Sequence, residues 1–411
     1  MKKDNRRNNT KSFDKPKKLN RPDRPKKAGL GNGCPHYKKC GGCQLQNMTY
    51  DEQLSFKQAK TIKLLGKYCH VEEIIGMEKP EHYRNKVQAA FGMTRGGKII
   101  SGVYQSSSHN IVCVDNCRLE DKKADKIIVT VRQLLSDFKM LPYNEDRKTG
   151  FLRHVLVKRG FATGEIMVVL VTATPVFKNK NNFVSALLKT HPEITTIVQN
   201  VNNAQTSLVL GESEKVLYGK GYITDILCGC SFKISARSFY QINPVQTEKL
   251  YNTAIEYAAL TGNETVIDAY CGIGTIGLVA SKNAGQVIGV ELNKDAVKDA
   301  VWNAKLNKAD NIYFYNDDAG RFMVEMAKAG EKADVVFMDP PRAGSDMNFL
   351  SSVVKLAPEK VVYISCNPET QARDLAYLVK NGYRCKKIQP VDMFPHTNHV
   401  ETVCLLSRKE K

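Results

Sequence analysis

Apolar and polar positions follow two different patterns along the chain, and the change comes near Phe232. Beyond that point, apolar runs of strand length alternate with segments whose apolar residues recur at helical spacing. Predicted strands are Thr265 to Asp268, Gln286 to Glu291, Ile312 to Asn316, Val335 to Asp339 and Val361 to Ser365. Predicted helices are Thr247 to Ala259, Lys294 to Leu306, Ala319 to Ala329, Phe349 to Leu356 and Gln371 to Asn381. This alternation predicts an α/β fold, a doubly wound domain over residues 234–411.

Before that point the chain has the short, turn-bounded strands of a β-rich domain, which we place at residues 81–233. Predicted strands are Val87 to Phe91, Lys98 to Tyr104, His154 to Lys158, Glu165 to Thr172 and Thr195 to Asn200. Helices are predicted at Asp121 to Phe138 and Phe183 to Thr190. The basic stretches Tyr83 to Lys86 and Arg153 to Arg159 are candidate phosphate contacts, although a solvated face is the commoner role for such charges.

A cysteine-rich loop, within residues 31–80, precedes this domain. Cys34, Cys40 and Cys43 lie within ten residues and are joined by glycines that allow tight turns. Three thiols so close together predict one metal centre that lacks a fourth ligand, for which Cys113 and Cys117 are the nearest candidates. The ligands suit either a 4Fe-4S cluster or tetrahedral zinc, and spacing alone does not choose between them.

Charge is the compositional feature that changes this picture. The chain has 411 residues and a formal net charge of +19. Residues 1–30 contain twelve Lys or Arg and three Asp, hence +9, and almost nothing apolar, so they are predicted to be a disordered basic tail. The excess of positive charge favours a nucleic-acid partner over a membrane, because no apolar run approaches the roughly 20 residues that span a bilayer. We expect a cytoplasmic protein without a signal peptide and see no sign of an obligate protein partner.

Several functional side chains are predicted to meet where the strands of the α/β domain end. Cys366 follows the strand that ends at Ser365, and Asp339 ends the strand before it. In open α/β sheets, ligands bind in the crevice beyond the carboxyl ends of the strands. A small buried cysteine is the commoner role for an arbitrary Cys, but the neighbouring motifs favour a functional thiol here.

A glycine-rich turn after the first strand predicts a cofactor site. Gly272, Gly274 and Gly277 have the spacing of a dinucleotide-binding loop, which alone is a weak signal. Asp268 and Glu291, however, end the strands on either side of it. Glu291 could accept hydrogen bonds from a ribose, whereas an acid beside the loop disfavours phosphate and tolerates a cationic amino-acid group. This polarity matches S-adenosylmethionine.

The combination of a thiol, carboxylates and a methyl donor is what methylation of carbon 5 of uracil requires. Carbon 5 of uracil is a poor nucleophile until a thiolate adds at carbon 6, after which carbon 5 can attack the sulfonium methyl group. A base must then remove the proton from carbon 5 so that the thiol can leave. Glu401, at the start of the last apolar strand, could be that base if burial raises its affinity for a proton.

Five motifs together resemble the RNA uracil-5-methyltransferase family. They are Phe239 to Pro244, Asp268 to Gly277, Asp339 to Arg342, Ser365 to Pro368 and Phe394 to Val403. The resemblance implies a Rossmann-like class I methyltransferase domain in which Cys366 is the nucleophile and Glu401 the base. It also implies that Gln241, Tyr270, Glu291 and Asp339 bind S-adenosylmethionine.

The resemblance extends to the branch of the family that carries an iron-sulfur cluster. It implies that four cysteines hold a 4Fe-4S cluster and leaves Cys113 as a bystander. These ligands are Cys34, Cys40, Cys43 and Cys117. It favours a uridine of 23S ribosomal RNA as the substrate, with transfer RNA as the alternative. A non-catalytic, metal-dependent RNA-binding or assembly factor would also fit the charge and the cysteine loop, but it would not need the catalytic set.

Overall fold

The computed structural model describes residues 34–105, 108, 110–206 and 208–409, so the predicted basic tail at residues 1–30 lies outside the described residues. The helices are α1 Tyr37–Cys40, α2 Tyr50–Leu65, α3 Lys122–Asp137, α4 Lys180–Thr190, α5 Pro244–Ala258, α6 Thr275–Ser281, α7 Lys294–Leu306, α8 Ala319–Lys328, α9 Met347–Leu356 and α10 Pro368–Lys380. The strands are β1 Lys86–Met93, β2 Ile99–Tyr104, β3 Ile111–Cys113, β4 Leu152–Arg159, β5 Ile166–Thr172, β6 Ile194–Val201, β7 Ser213–Tyr218, β8 Tyr222–Leu227, β9 Cys230–Ser235, β10 Thr265–Ala269, β11 Gln286–Glu291, β12 Ile312–Asn316, β13 Val335–Met338, β14 Lys360–Ser365, β15 Tyr383–Val391 and β16 Glu401–Arg408.

The C-terminal half forms the predicted α/β sheet of seven strands, in the order β12-β11-β10-β13-β14-β16-β15. The first five strands are parallel, and β16 is antiparallel to both of its neighbours. Strand order reverses between β10 and β13, and this switch point is where such sheets bind ligands. Strands β13 and β14 are almost wholly buried because the sheet has an apolar core on each face.

The central half forms a second sheet of seven strands, in the order β3-β2-β1-β4-β5-β6-β7. Its pairings are antiparallel except for β5 and β6, which the crossover helix α4 joins in parallel. Helices α3 and α4 cover one face of this sheet, and Met167, Val169 and Val171 on the other face join the core of the α/β half. The sequence patterns did not predict β3, the edge strand β7 or the hairpin β8-β9, which packs on α7 through side chains of Asn303 and Asn307.

The segment after the cysteine loop packs against the far edge of the C-terminal sheet. Helix α2 lies against α10 and β15, and Leu65 enters the core on that side. Val71 and Ile75 form parallel bridges with β15. The N-terminal segment therefore completes the α/β half of the molecule. Within the described ranges, every helix is too short or too polar to cross a lipid bilayer.

Candidate active site

A cavity of about 420 Å³ lies at the switch point, beyond the carboxyl ends of β10 to β13. Three of the four residues that the motifs assign to the methyl donor line it, namely Tyr270, Glu291 and Asp339. Gln241 is not among the lining residues, although Phe239, two positions earlier, is. The volume suits a ligand of nucleoside size.

The turn after β10 has a backbone that glycine makes possible. Gly272 and Gly274 have φ angles of 56° and 82°, and Tyr270 shares this left-handed conformation with a φ of 65°. The backbone N–H of Gly277 donates to Asp268 Oδ2 at 2.7 Å, and that of Gly272 donates to Glu291 Oε2 at 3.0 Å. The acids at the ends of β10 and β11 thus hold the turn in place.

One buried and two partly buried acids give this region its electrostatic character. Asp268 is 1% exposed, and burial raises its pKa to about 7, with the negative charges of Asp339 and Glu291 acting in the same direction. Its Oδ1 atom has no hydrogen-bond partner within the described part of the chain. A site with three acids resists a pyrophosphate and favours a ligand that carries positive charge. The residues present therefore fit S-adenosylmethionine, with its sulfonium and ammonium groups.

Cys366 lies between the end of β14 and the start of α10, as the sequence predicts. The side chain of Asn367 accepts a hydrogen bond from the Glu369 backbone N–H and caps α10, and Pro368 occupies its first turn. The half-buried thiol has a pKa raised to about 11 by burial and by the nearby carboxyls of Glu401 and Asp339, while Arg342 opposes the shift. The thiol is therefore protonated in the free protein.

Strand register brings Glu401 to the thiol across 34 intervening residues. Strands β14 and β16 are antiparallel, with Ser365 opposite Thr402, so the next two positions to face each other are Cys366 and Glu401. Glu401 is 3% exposed, and burial, followed by the charge of Asp339, raises its pKa well above the usual range. Across the described ranges, no Lys, Arg or His lies within 4.0 Å of its carboxylate.

Asp339 connects the thiol to the cavity. It follows β13, and its own pKa is raised to about 7 by burial. Its charge acts on both Cys366 and Glu401, and its side chain lines the cavity. The structure therefore brings the proposed nucleophile, base and donor cavity together around one carboxylate.

The cavity also includes residues that the sequence analysis did not assign to the methyl donor. Phe239 and Leu292, which line it, are among the most exposed large apolar side chains of the described residues, at 65% and 74%. Asp317 and Asp318, immediately after β12, add further carboxylates. The sequence could have indicated these acids, because Asp317 comes directly after strand β12 just as Glu291 is the last residue of strand β11.

Cysteines of the predicted metal centre gather near the start of β1. The thiols of Cys34 and Cys40 are close enough to Cys43 to raise its pKa, which burial brings to about 11. Cys117 packs with Cys43 in the small core around Met77 and Tyr83, and burial raises its pKa to about 12.

Cys113 lies apart from that core. Its thiol donates a hydrogen bond to Asp115 and accepts one from Arg132, and it shares a surface pocket with Cys34. In the part of the chain that the structure describes, no group of three or more His, Cys, Asp or Glu side chains could hold a metal ion as it stands.

Two of the basic residues expected to face phosphate are buried instead. Arg153 donates to the backbone carbonyls of Asn202 and Ala204, and Lys158 donates to those of Ser235 and Ser238. Each side chain is hydrogen-bonded to the backbone of another segment of the chain, so it helps to hold the fold together. The prediction of phosphate contacts is wrong for these two residues.

Comparison with known proteins gives the family. A model of the family described as tRNA (Uracil-5-)-methyltransferase matches residues 49–409. A Clostridium tetani protein described as an uncharacterized RNA methyltransferase is 45% identical over 91% of this chain and 82% of its own length. A Staphylococcus aureus protein of the same description is 42% identical over 92% of this chain and 84% of its own length.

A solved structure gives a similar result. The crystal structure of Pyrococcus abyssi tRNA (uracil-54, C5)-methyltransferase in complex with S-adenosyl-L-homocysteine has a TM-score of 0.75 and 31% identity, and the match covers 89% of this chain and 85% of that one. The carboxyl-end cavity, the thiol beside it and these matches lead to one conclusion: the chain belongs to the tRNA (uracil-5-)-methyltransferase family and is an S-adenosylmethionine-dependent RNA methyltransferase.

Proposed function

We propose that the protein methylates carbon 5 of a uridine in RNA, with Cys366 as the nucleophile and Glu401 as the base. The observation that carries the proposal is that Cys366, directly after β14, lies beside Glu401 at the start of β16 and near Asp339 on the wall of the donor cavity. N-methylation would need no thiol at this position. Membership of a methyltransferase family argues against the non-catalytic assembly factor.

Four residues are proposed to bind the methyl donor: Gln241, Tyr270, Glu291 and Asp339. Glu291 would accept hydrogen bonds from a ribose through its remaining lone pairs, because Oε2 already accepts from the Gly272 N–H and Oε1 from the Asn293 N–H. Asp339 would face the positive end of the donor, since it lines the cavity and also lies near Cys366. When bound, the donor supplies a transferable methyl group on a positively charged sulfur.

Proton movements determine how the residues act. Cys366 must lose its proton before its sulfur bonds to carbon 6, and the repulsion from Glu401 and Asp339 opposes this loss. A protonated Glu401 removes one of those charges, and Arg342 favours the thiolate. The thiol proton goes to solvent water as the carbon–sulfur bond forms, and Glu401 then releases its own proton to solvent. After methyl transfer, the resulting Glu401 carboxylate takes the proton from carbon 5, the carbon–sulfur bond breaks, and the thiolate of Cys366 is restored. The target base must leave its stack to reach the thiol.

The test uses purified protein, labelled S-adenosylmethionine and RNA from a strain that lacks the gene. We expect the wild-type protein to restore 5-methyluridine and the Cys366→Ala variant to restore none. Cys385→Ala, at a buried cysteine on β15, is the matched control and should retain turnover. Full methylation by Cys366→Ala would contradict the mechanism.

We propose 23S ribosomal RNA as the substrate, on the resemblance to the iron-sulfur branch. Transfer RNA is the second candidate, because the similar Pyrococcus abyssi enzyme is described as acting on uracil-54 of tRNA. Nucleoside mapping of both RNA classes from the deletion strain decides between them. Loss of 5-methyluridine from tRNA alone would overturn the first choice.

We also propose that a 4Fe-4S cluster, or zinc as the alternative, is held by Cys34, Cys40, Cys43 and Cys117. The support is that Cys43 and Cys117 pack on one small core and that Cys34 and Cys40 are close enough to Cys43 to raise its pKa, although the four do not form a metal-binding group as they stand. No catalytic step depends on it. Anaerobic purification followed by iron, sulfide and zinc analysis tests the proposal, and a protein without any of the three would contradict it.

A further inference from the structure

A second cavity, of about 520 Å³, lies in the central half of the molecule. Its walls include two tyrosines, Tyr104 and Tyr143, together with Gln88, Arg153 and His154. The rings of Tyr104 and His154 meet edge to face, with their centroids 6.2 Å apart. The Arg153 guanidinium lies 5.1 Å from the centre of the Tyr143 ring. These contacts give the cavity flat aromatic walls.

His154 is the unusual member of this set. Its side chain is 7% exposed, and its Nδ1 atom has no hydrogen-bond partner among the residues that the structure describes. Burial and the charge of Arg153 lower its pKa to about 4, so the ring is neutral near pH 7. A buried imidazole without a partner is costly unless something else meets its hydrogen-bonding capacity.

The charges of the cavity do not favour a phosphate. Arg153 forms an ion pair with Glu145 at 2.9 Å through Nη2 and donates from Nη1 to two backbone carbonyls, whereas its buried Nε has no partner within the described residues. The acid at the rim repels anions, and both terminal nitrogens of the arginine, which a phosphate would engage, are already hydrogen-bonded. A planar, uncharged group with hydrogen-bonding edges suits such walls, and an unstacked nucleobase is that kind of group.

The cavity lies on the sheet face that leads to the active site. Gln88, Ala90 and His154 share this face with Lys158, because Ala90 is opposite His154 and Lys86 is opposite Lys158 in the β1-β4 register. Lys158 reaches the carbonyls of Ser235 and Ser238, just before the Phe239 that lines the donor cavity.

Strand β1 also links the second cavity to the region of the donor cavity. Immediately before it, Asn85 donates to the backbone carbonyl of Gln241, and Gln88 lies three residues further on, a rise of about 10 Å. An RNA strand that reaches the donor cavity near Phe239 and Gln241 can therefore continue along this sheet face toward the second cavity.

We propose that this cavity, formed by Gln88, Tyr104, Tyr143 and His154, binds a second unstacked base of the RNA substrate near the target uridine. The inference rests on the proposed function and deepens it, because it assigns a substrate contact outside the catalytic crevice. The tyrosine faces supply stacking, and the imidazole and Gln88 supply hydrogen bonds to the base edge.

The test compares matched variants of the full chain on a hairpin RNA whose loop carries a uridine that the wild-type protein methylates. Each nucleotide that flanks this uridine is replaced in turn by the fluorescent base 2-aminopurine. We expect quenching at one position with the wild-type protein. Tyr104→Ala should abolish this quenching and raise KM for RNA about tenfold with kcat unchanged, since stacking on an aromatic ring accounts for a loss of this size.

Two further variants separate binding from folding. His154→Phe keeps the aromatic contact with Tyr104 but removes both ring nitrogens, and it should raise KM for RNA about fivefold. Tyr218→Ala, at a tyrosine of similar exposure on the far edge strand of the same sheet, should behave as the wild type. Affinity for S-adenosylmethionine reports that each variant is folded.

Unchanged quenching and KM in both Tyr104→Ala and His154→Phe would overturn the inference while leaving the proposed function intact. If the wild-type protein methylated no RNA, the proposed function would fail and this inference with it.

Discussion

Two buried carboxylates near the C-terminal end of the described chain differ in their partners, above all in the presence of a cation. Asp392 is fully buried and receives the Lys57 ammonium at 2.5 Å and the Tyr50 hydroxyl at 3.0 Å. Glu401 is nearly as buried, yet no cation within the described residues is in ion-pair contact with it. Strands β15 and β16 bring the two acids close together, since Val391 is opposite Glu401.

The difference teaches how to separate a structural acid from a reactive one. Asp392 and Lys57 fasten the segment from residue 392 to 400, because Lys57 also donates to the Phe394 carbonyl and Gln53 accepts from the His396 N–H. The unpaired carboxylate at Glu401 instead has a raised pKa, which is what a proton-transfer group requires.

The largest expected effect comes from Glu401→Gln. Removing a general base lowers turnover by a factor of about 10² to 10⁴, and we expect the RNA to accumulate as a covalent adduct because the thiol cannot leave. Denaturing gel electrophoresis with labelled RNA measures the adduct. The control is Glu359→Gln, an exposed glutamate at the opposite end of β14. Wild-type turnover in Glu401→Gln would remove the distinction between the two acids.

Lys57→Met should have the next largest effect, on stability. It leaves Asp392 buried without its cation, which costs about 3 to 5 kcal/mol in free energy of unfolding. Denaturant unfolding measures the loss. The double variant Lys57→Met with Asp392→Leu should recover most of it, because the buried charge is then gone. An additive loss in the double variant would show that the ion pair is not what holds this segment.

The variant Asp339→Asn tests whether the raised pKa of Asp339 makes the stability of the protein depend on pH. The pKa of Asp339 is about 7 in the folded protein and about 4 when unfolded, so the folded state binds more protons between these values and stability falls as pH rises. We expect the variant to exceed the wild type by about 2 to 4 kcal/mol at pH 8 and to match it below pH 4. Melting curves across this range provide the measurement, and a constant difference at every pH would contradict the shift. Affinity for S-adenosylmethionine should fall in the same variant.

Tyr50→Phe should have the smallest effect. It removes the hydroxyl that donates to Asp392 and accepts from the Met77 backbone N–H, at a cost of about 1 to 2 kcal/mol. Turnover of the folded protein at saturating RNA should not change. Reduced kcat at an unchanged folded fraction would mean that the Asp392 group also influences catalysis.

Much of the α/β half could be predicted because its signals are local. Strands β11 and β12 and helix α7 have the predicted bounds, and Cys366 and Asp339 lie at the strand ends that the apolar runs indicated. The pairing of Cys366 with Glu401 was predicted from the chemistry of the motifs and from the resemblance, and the register of two antiparallel strands is its physical basis.

The remaining features depend on contacts between distant parts of the chain. Lys57 in a helix with a polar face gave no sign of burial, and its partner lies 335 residues away. The exposed strand β7 carries little apolar periodicity, and Arg153 looked like a surface charge until the fold placed carbonyls around it. The division into four domains stays a prediction, and the contacts of α2 with β15 are the observation any test of it must explain.

Strand β16 lies between β14 and β15 although it follows both along the chain. During synthesis, Cys366 therefore leaves the ribosome before Glu401 does. Until residues 401–408 have been made and have paired between them, β14 and β15 each have an edge without a neighbouring strand. A translation product interrupted in this interval would keep a nucleophile with no means of releasing its adduct, together with two edges that readily pair with other chains.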